Sequence, residues 1–123
     1  MLPKRVRISQ GATDILKVLK GRTGLTPNII CRIALILSLE DGERGGAKQV
    51  DQSGSEFNAP TLYGEFALLF ECMIREVHGD MTLRDLPLVI ASHIEHGMDR
   101  LRKSKTVLEL VEFSGLAVMQ DPQ

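Results

Sequence analysis

The sequence predicts a mainly α protein, a compact helical domain with one short strand near its N-terminus. Three observations lead there. Apolar residues recur at helical spacing along most of the chain, as in Ala12, Ile15, Leu16 and Leu19, or in Leu62, Phe66, Leu69, Phe70, Met73, Ile74 and Val77. Alternation of period two is confined to Arg5–Ser9, where Val6 and Ile8 face one way and Arg5, Arg7 and Ser9 the other. Helix-start and helix-stop residues also sit at the ends of the periodic runs. With 123 residues, the chain is expected to form a single domain over 1–123.

Each element has its own local reason. Ser9 is a candidate N-cap for a helix over Gln10 to Lys20, whose stripe is Ala12, Ile15, Leu16 and Leu19. Gly21 and Gly24 are expected to end it, since glycine tolerates positive φ and close backbone approach. Thr26-Pro27 then opens a second helix, Asn28 to Leu39, with a hydroxyl cap and Pro at the first helical position. That helix is apolar nearly all round, broken mainly by Arg32 and Ser38. Such a helix must be buried on most sides, at the centre of the domain or at a subunit interface, so an oligomer is expected.

Residues 40–58 are rich in Gly, Ser, Asp and Gln and read as a long flexible loop, with a small hairpin around Gly45-Gly46 as an option within 41–58. Helical spacing returns from Ala59 to His78 and is closed by Gly79. Thr82-x-x-Asp85 has the pattern of a capping box. Pro87 opens a helix to Lys103 with Leu88, Ile90, Ala91, Ile94, Met98 and Leu101 inward. Thr106-x-x-Glu109 would cap a last short helix, Val107 to Phe113, before a frayed tail.

A net charge of −1 conceals an asymmetry. Residues 1–32 carry Lys4, Arg5, Arg7, Lys17, Lys20, Arg22 and Arg32 against Asp14 alone, a net of +6, and the remainder carries −7. A neutral whole with one basic face is the footprint of a polyanion binder. A second cluster, Arg100, Arg102, Lys103 and Lys105, follows a helix and is expected to complement the dipole at its C-terminal end. No apolar run reaches the ~20 residues of a membrane span, and no secretory pattern opens the chain, so a cytoplasmic protein without membrane contact is expected. Cys31 and Cys72 both fall in apolar helical stretches and read as reduced, buried thiols. No cofactor is expected, because two cysteines do not by themselves supply a four-thiolate iron–sulfur or zinc site.

Two constellations carry possible chemistry. The strand and two helices of residues 4–39 resemble the ribbon-helix-helix family of DNA-binding dimers, in which paired strands enter the major groove. In that arrangement Arg5 and Arg7 would reach phosphates or base edges, and the N-terminal end of the second helix would suit a phosphate oxygen. The other constellation is His93-x-x-His96 with Asp99 on the same helical face. Two imidazoles and a carboxylate can hold a metal that polarises phosphate and activates water. The alternatives to a binding protein are thus a metal-dependent DNA-nicking enzyme at His93, His96 and Asp99, or a ribbon-helix-helix transcriptional regulator. Neither thiol is placed as a nucleophile, because burial disfavours the thiolate.

A closer resemblance covers most of the chain. Arg5-Val6-Arg7-Ile8-Ser9, Lys20-Gly21-Arg22-Thr23-Gly24-Leu25-Thr26-Pro27-Asn28, Cys31-Arg32-Ile33-Ala34-Leu35, Tyr63-Gly64-Glu65 and His93-Ile94-Glu95-His96-Gly97 together resemble the DndE family, the small component of bacterial DNA phosphorothioation systems. The resemblance implies a pathway that replaces a non-bridging phosphate oxygen of DNA with sulfur. It assigns sulfur handling to other components, a cysteine desulfurase and an iron–sulfur reductase-like protein, beside an ATPase-like one. This chain would be the accessory, non-enzymatic DNA-binding subunit, self-associating as a tetramer and binding duplex DNA, including nicked duplex. The expected DNA contacts are Lys4, Arg5, Arg7, Lys17, Lys20, Arg22 and Arg32, with Lys4, Lys17, Lys20 and Arg22 foremost. The expected assembly residues are Gly21, Gly24, Ile29, Ile33, Ile36 and Leu37.

Overall fold

The computed structural model describes residues 1–106 and Glu109. The expected helix over 107–113 and the tail beyond it lie outside the described residues, apart from Glu109, whose N–H donates to the Thr106 hydroxyl at 3.1 Å. The fold is mainly helical, as expected. The chain runs through strand β1 (Arg5–Arg7), helices α1 (Gln10–Thr23) and α2 (Pro27–Glu40), a 3-10 turn at Gly42–Gly46, strand β2 (Glu56–Asn58), short helix α3 (Ala59–Tyr63), a second 3-10 turn at Gly64–Phe66, and helices α4 (Ala67–His78) and α5 (Leu86–Leu101).

Helix α1 begins where Ser9 predicts. The Ser9 Oγ accepts from Ala12 N–H at 2.9 Å, one of the orphan donors of a helix start. The helix runs past Gly21 to Thr23 and stops only at Gly24, which takes φ +76° and returns its N–H to the Lys20 carbonyl. Gly21 is therefore an interior helical residue, not a terminator. The axes of α1 and α2 then turn by 114°. Pro27 opens α2 as expected, but the Thr26 side chain makes no capping bond.

Helix α2 is the central element. Ile30, Cys31, Ala34, Leu35, Leu37 and Leu39 are buried, mostly against α5. A β-carbon built on Gly97 of α5 would stand 2.0 Å from the Ala34 carbonyl oxygen, so the two backbones touch and only glycine fits the crossing. The two polar interruptions are satisfied internally. Ser38 Oγ meets His93 Nδ1 at 2.6 Å, and Arg32 donates to the Leu62 and Thr61 carbonyls at 2.8 and 3.1 Å while lying over the Phe66 ring. Much of the burial that an apolar helix demands thus comes from within one chain.

The 41–58 stretch is not a loose loop, and no hairpin forms at Gly45-Gly46. Residues 42–46 coil as a 3-10 turn packed on His93, and Glu56–Asn58 pairs antiparallel with β1 in the register Arg5 to Asn58, Val6 to Phe57 and Arg7 to Glu56. Among the described residues the sheet has these two strands. A clasp at Gly54 holds the approach to α1: Gly54 N–H donates to Ile8 O, Ile8 N–H to Ser55 O and Ser55 N–H to Thr13 Oγ1, at 2.9–3.0 Å.

The expected Ala59–His78 helix is broken at Gly64, which adopts φ +56° and lies so close to the Arg32 guanidinium that a β-carbon would reach 2.5 Å from it. The break rotates the stripe. Leu62, Phe70 and Ile74 stay in the core, but Phe66 and Leu69, expected inside, are 48% and 52% exposed. Leu88 likewise faces outward, and Cys72 is exposed whereas Cys31 is buried with its thiol pushed up to about 12.

Candidate nucleic-acid interface

The basic residues of the first third fall into three states. Lys4, Lys17, Lys20 and Arg22 are exposed and make no ion pair among the described residues. The core stripe of α1 (Ala12, Leu16, Leu19) fixes which way its cations face, since Lys17 and Lys20 lie off that stripe. Lys4 precedes β1, and its carbonyl is held by Ala59 N–H at 2.8 Å. Arg5 and Arg7 are also exposed, but both face Glu56 of the paired strand, at 3.9 and 3.1 Å. Arg7 further donates to the Gly54 carbonyl at 3.0 Å. Arg32 is committed to the end of α3 and the Phe66 ring and acts as a structural clamp. β1 is paired on one edge with β2 of its own chain, and among the described residues no strand pairs with its other edge.

The expected assembly residues also divide. Gly21 and Gly24 have no atom of the described residues within 4 Å of an added β-carbon, so their small size serves no packing among those residues, while Gly24 is needed for its φ of +76°. Ile29, Ile33 and Ile36 form the outward stripe of α2, Ile29 being 37% exposed. They line an apolar groove with Phe66 and Leu69 across to α4. Leu37 is 2% exposed and belongs to the chain's own core, not to that outward stripe. Sequence periodicity concealed the Phe66 and Leu69 half of this groove; the signal that reveals it is Gly64, whose positive φ splits the helix.

His93, His96 and Asp99 do not converge. His93 is fully buried between Ser38 and His78, whose Nε2 is 2.8 Å from its own Nε2. Burial pushes the His93 imidazole down to about 4, reinforced by the positive charge that His78 and His96 can carry. His96 instead bonds Asp41 at 2.8 Å; that bond, against some desolvation and with the Arg100 charge in support, holds the Asp41 carboxyl below the usual carboxylate range. Asp99 is exposed. No three potential metal ligands meet among the described residues, so His93, His96 and Asp99 do not form the ligand set that their spacing suggested. No single described helix is long and apolar enough to cross a membrane.

Comparison with known proteins places this arrangement. A crystal structure of DndE from Escherichia coli B7A, involved in DNA phosphorothioation modification, matches at a TM-score of 0.71 and 31% identity, covering 80% of this chain and 97% of that one. A DndE G21/24K mutant involved in DNA phosphorothioation matches at a TM-score of 0.69 and 27% identity, with the same coverage of 80% and 97%. No curated protein sequence matches. The family model for the DNA sulphur modification protein DndE matches residues 5–109, most of the sequence, and the chain therefore belongs to the DndE family.

Proposed function

We propose that this chain is a self-associating, non-catalytic DNA-binding subunit of a DNA phosphorothioation machinery. It holds duplex DNA, including duplex with a strand break, in the cytoplasm and works beside the other protein components of that system. The observation that carries the reading is the uncompensated charge on and near α1, where Lys4, Lys17, Lys20 and Arg22 stand exposed without a carboxylate partner among the described residues. Lys17 and Lys20, three residues apart on one helix, repel one another, and a polyanion relieves that repulsion. Arg5 and Arg7, partly neutralised by Glu56, become flanking contacts and not base readers.

Family membership supports the pathway, and the open surface of Gly21, Gly24 and the Ile29–Ile33–Ile36 stripe supports self-association. The assembly is proposed as a tetramer, following the family resemblance. The chemistry of sulfur insertion is assigned to the other components.

The test is a titration of fluorescent intact, nicked and single-stranded DNA at about 50 and about 200 mM salt, a range over which phosphate-directed binding weakens steeply through counterion release. The parent protein is expected to bind duplex with a steep salt dependence. Changing Lys17→Glu together with Lys20→Glu is expected to abolish binding while leaving the circular dichroism spectrum intact. Binding unaltered by that double change would refute the placement on α1.

A further inference from the structure

Two basic segments far apart in sequence touch where α1 and α5 end. Arg22, at the C-terminal end of α1, donates from Nη1 to the carbonyl of Arg102, just past the end of α5, at 3.4 Å. Arg22 and Arg102 share a shallow surface cleft with Ile15 and Val18. The segment that follows is anchored, because Leu101 and Ser104 are fully buried and Ser104 N–H closes a turn onto the Leu101 carbonyl at 2.9 Å. With 101 and 104 turned inward, Arg102, Lys103 and Lys105 are left exposed, and Arg102 lies against Arg22 at the end of α1. None of the three makes an ion pair among the described residues. Asp14 lines the same cleft as Arg22 and Arg102, so the cations there outnumber its carboxylate two to one. Arg100 stands apart from this group, drawn to Asp41 at 3.7 Å.

We infer that the DNA-binding surface does not end with α1 but continues onto the C-terminal end of α5, where Arg102, Lys103 and Lys105 contact the phosphate backbone of the same duplex. The inference rests on the proposed function and extends its site by a second segment of chain. Arg22 joins the two segments, since it donates to the Arg102 carbonyl. The competing role for these cations is to offset the negative dipole ends of α1 and α5, which both terminate here. The two roles have different readouts: dipole compensation shows in stability, and phosphate contact shows in the salt dependence of binding.

The experiment uses the full chain with Arg102→Gln, Lys103→Gln and Lys105→Gln combined, and a Lys17→Gln, Lys20→Gln variant beside it. A fluorescent duplex is titrated over a salt series, and thermal unfolding of each protein is recorded. Each phosphate contact contributes about −0.9 to the slope of log K against log salt, so losing three flattens it by about 2.7. A slope flatter by about that amount, with weaker binding at low salt, supports the inference. A parental slope in the triple variant together with a flattened slope in the α1 variant overturns the extension and leaves the α1 site standing. A melting temperature lowered with no change of slope assigns the three cations to the helix dipoles and also overturns it. A parent protein without salt-dependent DNA binding overturns the proposed function and this extension with it.

Discussion

The buried histidine pair makes stability depend on pH in a direction fixed by geometry. His93 has no exposed surface, its Nδ1 faces Ser38 Oγ and its Nε2 faces His78 Nε2, so a single proton serves the contact between the rings. Gly45 and Gly46 close over it so tightly that a β-carbon on either would stand within 2.8 Å of a ring nitrogen. A second proton would set two N–H groups against each other at the buried His93 ring. The folded chain therefore holds His93 neutral, with its pKa lowered from 6.5 to about 4. A depressed value means that the unfolded chain takes up the proton first as pH falls. The contribution to stability is intact above pH ~6.5 and is lost progressively down to pH ~4, amounting to about 2 kcal/mol at pH 5 and about 3 kcal/mol in all.

Urea unfolding at fixed protein concentration, at neutral pH and near pH 5, measures this directly. For a chain of this size, a loss of about 2 kcal/mol moves the midpoint down by about 1 M. The His93→Gln variant removes the titrating ring and is expected to start less stable but to lose much less on acidification. His78→Gln provides a second reading. Because burial is the largest cause of the shift, that variant should keep most of the acid sensitivity. A parent midpoint that does not move between neutral pH and pH 5 would refute the reasoning, as would a His93→Gln variant with the parental pH trend.

Other outcomes follow from single contacts. Gly97→Ala drives a methyl group into the Ala34 carbonyl, which belongs to backbone and cannot swing aside; a loss of about 3 kcal/mol and roughly 10 °C in Tm is expected by calorimetry. Tyr63→Phe removes a buried hydroxyl with no partner among the described residues and should hold or raise stability, by up to about 1 kcal/mol, in a chemical denaturation series. Gly21→Leu fills open space on a helical residue, so the isolated chain should gain about 0.5–1 kcal/mol of helix stability while the assembly shrinks by light scattering; an unchanged particle mass would exclude Gly21 from the interface.

The helices were legible because their signals are local. Ser9 caps α1, Pro27 opens α2, Gly79 follows α4, and the apolar periodicity of each follows from its own residues. What sequence could not display is what depends on contact between distant segments. The 41–58 stretch has loop composition because three of its four glycines are spent on close approach, Gly45 and Gly46 to His93 and Gly54 to Ser9 and Thr13, while Gly42 takes φ +79°. A glycine needed for proximity reads the same as one needed for flexibility. Gly64 conceals the break before α4 in the same way, and with it the exposure of Phe66 and Leu69. The basic face was visible as charge on α1, yet its sorting was not. Glu56 tempers Arg5 and Arg7 only because β2 pairs with β1 in that register, and Arg32 leaves the surface only because α3 ends above it.

The proposed assembly glycine Gly21 and the proposed DNA-binding cations share one helix, so the two proposals predict that assembly and DNA affinity are coupled. Lys17 and Lys20 lie within one turn of Gly21, so a second copy docking at the glycines brings its own cations close to the first set. A single patch of a few lysines yields only non-specific affinity, a Kd of roughly 10⁻⁴–10⁻⁶ M at physiological salt. Two patches held on one rigid particle bind the same duplex with an effective concentration in the millimolar range, which raises avidity by about 10²-fold or more. The proposed assembly thus supplies affinity that no single chain's side chains can supply. Gly21→Leu should therefore weaken DNA binding by about 10²-fold with every basic residue in place. Its residual binding should have the shallower salt slope of a single patch, because fewer phosphates are engaged at once. A dissociated variant that bound DNA with parental affinity and slope would show that one chain suffices, and the coupling would fall while the α1 site stood.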